Sequence, residues 1–113
     1  MGLFNTLHLQ APCLACGVEI PLVLQFKYAE NWQYEYKIND QLRWNSRHPR
    51  SNDGTPGMKH VVLSAISEDC PLCQHDGDDY LIHVYNDVLT SIEPDDQRYN
   101  FFDAQRDYLV LEE

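Results

Sequence analysis

Alternation of apolar and polar side chains is the dominant rhythm of this chain. In "GVEIPLVLQFKY", Val18, Ile20, Leu22, Leu24 and Phe26 recur at every second position, with Glu19, Gln25 and Lys27 between them. A period of two sends successive side chains to opposite faces, so the stretch predicts a half-buried β-strand. Pro21 has no N–H to give to a ladder, which predicts an unpaired edge at that point. "WQYEYKIN" repeats the rhythm, with Trp32, Tyr34, Tyr36 and Ile38 on one side and Gln33, Glu35 and Lys37 on the other. The "AEN" before it is short enough to predict a hairpin connection. "HVVLSAIS", "DDYLIHVYND", "VLTSIE" and "RDYLVLEE" predict four more strands, and the opening residues lead into a first one. Only residues 99–107, "YNFFDAQRD", predict a short helix.

One stretch breaks the pattern. Residues 43–59, "RWNSRHPRSNDGTPGMK", carry two prolines, two glycines and several Asn and Ser residues, and predict a long loop. Loops of that length are usually functional or mobile. The 113 residues are 43% hydrophobic and 23% charged, enough for a modest core. The expected architecture is a single domain over 1–113, all-β or β-rich α+β. No apolar run approaches the roughly 20 residues that span a bilayer. Gly2 and Thr6 formally match a myristoylation pattern, but no basic patch follows to support an acyl anchor. A cytoplasmic location is the expectation, and thiols stay reduced there.

The candidate chemistry lies in the cysteines. All four fall in two C-x-x-C pairs, Cys13/Cys16 in "PCLACG" and Cys70/Cys73 in "DCPLCQ". Each pair can supply two thiolates from one tight turn, and a structural zinc needs four in a tetrahedron. Gly17 suits a turn residue with positive φ, whereas the second pair carries Pro71 instead. This arrangement resembles the zinc-ribbon class, in which two C-x-x-C knuckles at hairpin tips share one ion. The resemblance implies a structural Zn2+ held by Cys13, Cys16, Cys70 and Cys73.

The spacing departs from that class. Ribbon knuckles commonly lie about 15–20 residues apart, whereas here 53 residues separate Cys16 from Cys70. The gap must therefore hold an inserted antiparallel hairpin and the 43–59 loop. Closing a loop of that size costs about 3–4 kcal/mol, against about 10–16 kcal/mol from a structural zinc. His75 or His8 could replace a cysteine at the ion. Thiol–disulfide exchange is the rival use, but it favours a thiol at a helix N-terminus, and neither pair precedes a helical pattern.

Charge bears on partners. The chain carries a net −10, very unevenly: residues 60–113 hold thirteen acids against Arg98 and Arg106, while residues 1–59 are near neutral. Such a body repels a phosphate backbone and suits a basic protein. Asp76, Asp78, Asp79, Glu93, Asp95 and Asp96 are the candidate partner-binding carboxylates; their spacing does not match a calcium loop. Size and charge resemble, at class level, small acidic bacterial immunity proteins and antitoxins that cover basic toxins. The expected function is therefore a non-enzymatic, zinc-stapled protein-interaction module. The alternative is a nucleic-acid-associated ribbon gripping single strands through Arg43, Arg47 and Arg50 beside Trp44 and His48.

Overall fold

A computed structural model describes residues 4–101 and 107–113. Among the described residues nine strands form in chain order: β1 (Asn5–Pro12), β2 (Glu19–Phe26), β3 (Ala29–Glu30), β4 (Glu35–Tyr36), β5 (Asn52–Asp53), β6 (His60–Ser67), β7 (Asp79–Tyr85), β8 (Val88–Pro94) and β9 (Tyr108–Glu112). The β-rich expectation holds. Most of the short helix expected over 99–107, and Gly2 of the acylation pattern, lie outside the described residues.

The main sheet runs β4-β1-β2-β6-β7-β8, with β9 also paired to β6. β6 is the axis. One edge pairs with β7 from His60 to Ile66; the other is shared, with β9 opposite His60–Leu63 and β2 opposite Ala65–Ser67. Splitting one edge between two partners swings the β1–β2 hairpin away from β9 and curls the sheet. Its two ends are then joined by the chain itself. Residues 39–42, just beyond β4, bond to β8 and the turn before it through Asn39 N–H to Leu89 O, Leu89 N–H to Asp40 O and Leu42 N–H to Asp87 O.

The alternating residues fill the inside of this curl. Ile20, Leu22, Leu24 and Phe26 are buried, while Glu19 before them and Pro21 among them are exposed. Leu7, Val61, Leu63, Ala65, Tyr80, Ile82, Val84 and Leu89 complete the inner face. Val62 and Leu81, on the opposite face of β6 and β7, are also fully buried. Pairing of β2 with β6 begins only at Leu24, so Pro21 sits where that edge is unpaired, as its missing N–H requires. The β7–β8 turn takes Asn86 and Asp87 through positive φ (51° and 67°), the hand that matches strand twist in a two-residue hairpin.

One local expectation fails. "WQYEYKIN" contributes only the two residues of β4, and it pairs parallel to β1 instead of forming a hairpin with β2. Gln33 and Asn39 take left-handed φ values of 60° and 76°, which break an extended run on either side. The antiparallel pair in the insertion is instead β3 with β5. Residues 43–59 are mainly loop, as expected, and within it a 3-10 turn (Pro49–Ser51) and β5 are well tied down. Asn45 and Asn52 exchange hydrogen bonds of 2.9 and 3.1 Å, and Trp44 packs edge-on against the buried ring of Tyr28 at 5.3 Å. Gly54 allows the chain to lie over that same ring, where a Cβ would sit 2.2 Å from it.

Asn5 is the polar hub of this end. Its fully buried amide donates to Tyr28 O (3.1 Å) and Glu30 O (3.0 Å), and its oxygen accepts from the N–H groups of Trp32 and Tyr34 (3.3 and 3.1 Å). Among the described residues, no helix is long and apolar enough to cross a membrane.

Candidate metal centre

The two C-x-x-C pairs occupy the tips of neighbouring hairpins. Cys13 and Cys16 lie in the turn from β1 to β2, and Cys70 and Cys73 in the turn from β6 to β7. Because β2 and β6 are adjacent in the sheet, both tips emerge at the same end.

Their backbones are built alike. In the first turn Gly17 N–H donates to Cys13 O (2.9 Å) and Cys13 N–H to Val18 O (3.0 Å). In the second, Gln74 N–H donates to Cys70 O (3.0 Å) and Cys70 N–H to His75 O (3.0 Å). Gly17 has φ 73° and Gln74 has φ 59°, so glutamine takes the left-handed position that glycine fills in the other turn. In each turn the N–H of the second cysteine points at the first cysteine's sulfur, at 3.5 Å in both. Such N–H groups stabilise thiolates.

The result is one sulfur cluster. All four Sγ atoms lie within 4.8 Å of one another. Cys13 and Cys73, from different turns, are 3.7 Å apart. Tetrahedral metal–thiolate bonds of about 2.3 Å imply sulfur–sulfur edges of about 3.8 Å, and a disulfide needs about 2.05 Å. The donor set therefore fits a single thiophilic divalent ion. Cys13 and Cys70 are buried against Ile20, whereas Cys16 and Cys73 are exposed.

Electrostatics favour the same occupant. The N–H groups of Cys73 and Leu72 pull the Cys70 thiol down to about 6. At Cys73 the N–H of His75 also favours the thiolate. Burial and the sulfurs of Cys70, Cys13 and Cys16 outweigh it and push that thiol up to about 12. The first proton leaves such a cluster readily, and like charge resists the later losses. A divalent cation removes that resistance.

The histidine substitutes are occupied elsewhere. His75 Nε2 lies 3.0 Å from Asp78 Oδ1, and His8 Nε2 lies 2.8 Å from Thr6 Oγ1 on β1. Neither belongs to the sulfur cluster.

The antiparallel pairing of β7 with β8 brings the two acidic groups to this same end. Asp95 N–H donates to Asp79 O (3.0 Å), and Glu93 faces Leu81. Several of these carboxylates already have partners. Glu93 meets His83 (2.6 Å) and Arg98 (2.8 Å), Asp96 meets Arg98 (3.0 Å), and Asp78 meets His75. Asp76 and Asp79 are exposed and Asp95 is half-exposed, all three without such a salt bridge among the described residues.

The basic loop is arranged differently from the nucleic-acid expectation. Trp44 faces the core, and the Arg43 guanidinium lies 4.8 Å over the Tyr34 ring. Arg47 and Arg50 are exposed, and among the described residues neither has its guanidinium over an aromatic ring.

Sequence reasoning missed the exposed apolar residues around the cluster. Leu14, Val18 and Leu72 are 50%, 49% and 63% exposed. Leu14 and Leu72 sit inside the two C-x-x-C turns, and an apolar residue between ligands is the signal that could have found them. No protein-family model, curated protein or solved structure matches this chain.

Proposed function

We propose that this chain is a non-enzymatic, zinc-stapled protein-interaction module whose metal-bearing end docks a basic partner. One observation carries the reading: two turns of matched backbone geometry converge four cysteine sulfurs within 4.8 Å. Thiolate softness and tetrahedral spacing select zinc over harder divalent ions. Four protein ligands leave no open coordination position, so the ion serves structure and not bond-breaking.

The surroundings supply the interaction. Leu14, Val18 and Leu72 present apolar surface at the tips. Residues 1–26 and 60–97, which carry both turns, contain no Lys or Arg. Four thiolates around a divalent ion add a further net −2. Apolar anchors inside a field of one sign suit an amphipathic, cationic protein surface. The finer form of this reading is an immunity protein or antitoxin that covers a basic toxin, with Asp76, Asp79 and Asp95 steering association.

Co-purification from the native host tests it, comparing the wild type with Leu14→Ser/Leu72→Ser and with Arg43→Gln/Arg47→Gln/Arg50→Gln. A Lys/Arg-rich protein retained by the wild type and the arginine variant, and lost by the leucine variant, supports the proposal. If that protein arrests growth alone and co-expression relieves the arrest, the toxin-neutralising form is supported. Salt-sensitive capture of nucleic acid, lost only with the arginines, refutes the proposal in favour of the ribbon alternative.

A further inference from the structure

Away from the cysteines, three adjacent strands carry an unbroken chain of titratable side chains. His60 on β6 places Nε2 at 3.0 Å from Nδ1 of His83 on β7. His83 in turn places Nε2 at 2.6 Å from Oε2 of Glu93 on β8. That same carboxylate oxygen accepts from Arg98 at 2.8 Å, and Arg98 also holds Asp96 at 3.0 Å. His83 is 9% exposed, so the middle of the chain is shielded from water. The His60 ring stacks on Tyr85, centroids 4.1 Å apart and planes 13° from parallel. On its other side His60 is the Cα partner of Glu112 at the end of β9, where the register shifts. Lys59 precedes it in the chain.

Chemistry fixes the direction of the protons. A carboxylate only accepts, so Nε2 of His83 donates to Glu93 and its Nδ1, in the neutral ring, accepts. Nε2 of His60 must then be the donor, which leaves Nδ1 of His60 as the ring nitrogen outside the chain. The first proton taken up goes there. It makes an imidazolium lying over the Tyr85 ring and beside Glu112, and it breaks no bond in the chain. Between the two rings, a second proton can enter only at Nδ1 of His83. It would replace the acceptor of the His60 hydrogen bond with a second donor and set two cations about 3 Å apart.

We propose that His60, His83 and Glu93 form a proton-binding clasp that holds the end of β9 to the sheet by accepting one proton and releasing on the second. The released element is a short strand that pairs with β6 alone. β9 pairs with β6 over only four register positions, and Val110 and Leu111 are exposed. Its attachment ends at His60, the residue the second proton frees from the interior.

Two variants keep the shape and change the protons. His60→Gln retains an Nε2–H donor to His83 and cannot ionise. Glu93→Gln removes the negative end of the chain. Histidine 15N chemical shifts followed through pH report tautomer and midpoint, and amide exchange, corrected for intrinsic rate, reports β9 protection. At neutral pH both wild-type rings should carry their proton on Nε2. His83 should take its proton at least threefold more readily in His60→Gln, and at least threefold less readily in Glu93→Gln. β9 protection should fall tenfold or more below the ordinary histidine range near pH 6.5 in the wild type, and much less in His60→Gln. Independent titration, with His83 unmoved by either variant, overturns the proposal. Equal loss of β9 protection in wild type and His60→Gln also overturns it.

Discussion

Replacing Gly77 by alanine should dismantle the second knuckle from behind. A Cβ at Gly77 would lie 1.9 Å from Ser67 O and 3.0 Å from Ser67 C, both backbone atoms at the end of β6. Ordinary contact needs more than 3.4 Å, so the 68–78 turn must move away by roughly 1.5 Å, and a β-strand inside a packed sheet does not yield instead. That displacement pulls on three hydrogen bonds. Ser67 N–H donates to Asp78 O (2.9 Å), Asp78 N–H to Ser67 Oγ (2.8 Å), and Gly77 N–H to Asp69 Oδ1 (3.0 Å). At about 1 kcal/mol each, the loss is about 2–4 kcal/mol. Cys70 and Cys73 ride on this turn, so the strain falls on the metal site, and every 1.4 kcal/mol is a tenfold change in affinity. Gly77→Ala should therefore weaken zinc binding by about 30- to 1000-fold in competition with a chromophoric chelator. Gly17→Ala is the control: nothing lies within 4 Å of its Cβ, and only φ 73° opposes it. That costs about 1 kcal/mol, close to fivefold. Equal zinc affinity and melting for Gly77→Ala and wild type would refute the packing argument.

Gln74→Gly should raise the denaturant midpoint slightly, because relief of a left-handed non-glycine residue, about 1–2 kcal/mol, outweighs the added chain entropy of glycine, about 0.5–1 kcal/mol; a lower midpoint counts against the equivalence of the two turns. Asn5→Ala should cost about 3 kcal/mol in urea unfolding, since it strands the partners of a fully buried amide. Asn5→Asp should be at least as damaging, because a carboxylate would face the carbonyls of Tyr28 and Glu30. A loss under about 1 kcal/mol for either substitution removes Asn5 from its place as the hub. Arg98, and then His83, hold the Glu93 carboxyl below the usual carboxylate range. The unfolded chain binds that proton at higher pH than the folded one, so this stability is complete above the unfolded pKa and is lost as pH falls through the folded value. Arg98→Gln should therefore move the acid-unfolding midpoint, followed by circular dichroism, to higher pH; an unchanged midpoint contradicts the pairing.

Much of the sheet was legible because alternation encodes which face is buried. β6 spans His60–Ser67, the full length of "HVVLSAIS", and Pro21 marks a real unpaired edge. The same signal misled over Trp32–Ile38, where period two is present but left-handed residues at Gln33 and Asn39 bend the chain out of a strand. Trp32 consequently ends 66% exposed. Pairing was not legible at all. Nothing local to β4 or β9 states that one runs parallel to β1 or that the other shares an edge of β6 with β2. The cysteine cluster was readable despite its 53-residue gap, because equal spacing within each pair reports the local turn whatever lies between. Its finer parts were not. That Gln74 would adopt the conformation of Gly17, and that Asn5 would satisfy four backbone groups, depends on tertiary contacts that leave no periodic trace.

Native mass spectrometry of the chain purified under reducing conditions, before and after chelation and zinc return, tests the sulfur cluster most directly. One ion per molecule, regained stoichiometrically after removal and lost in Cys16→Ser/Cys73→Ser, is the expected result. A chain that stays metal-free when offered zinc, with four freely titrating thiols and unchanged melting, would contradict it.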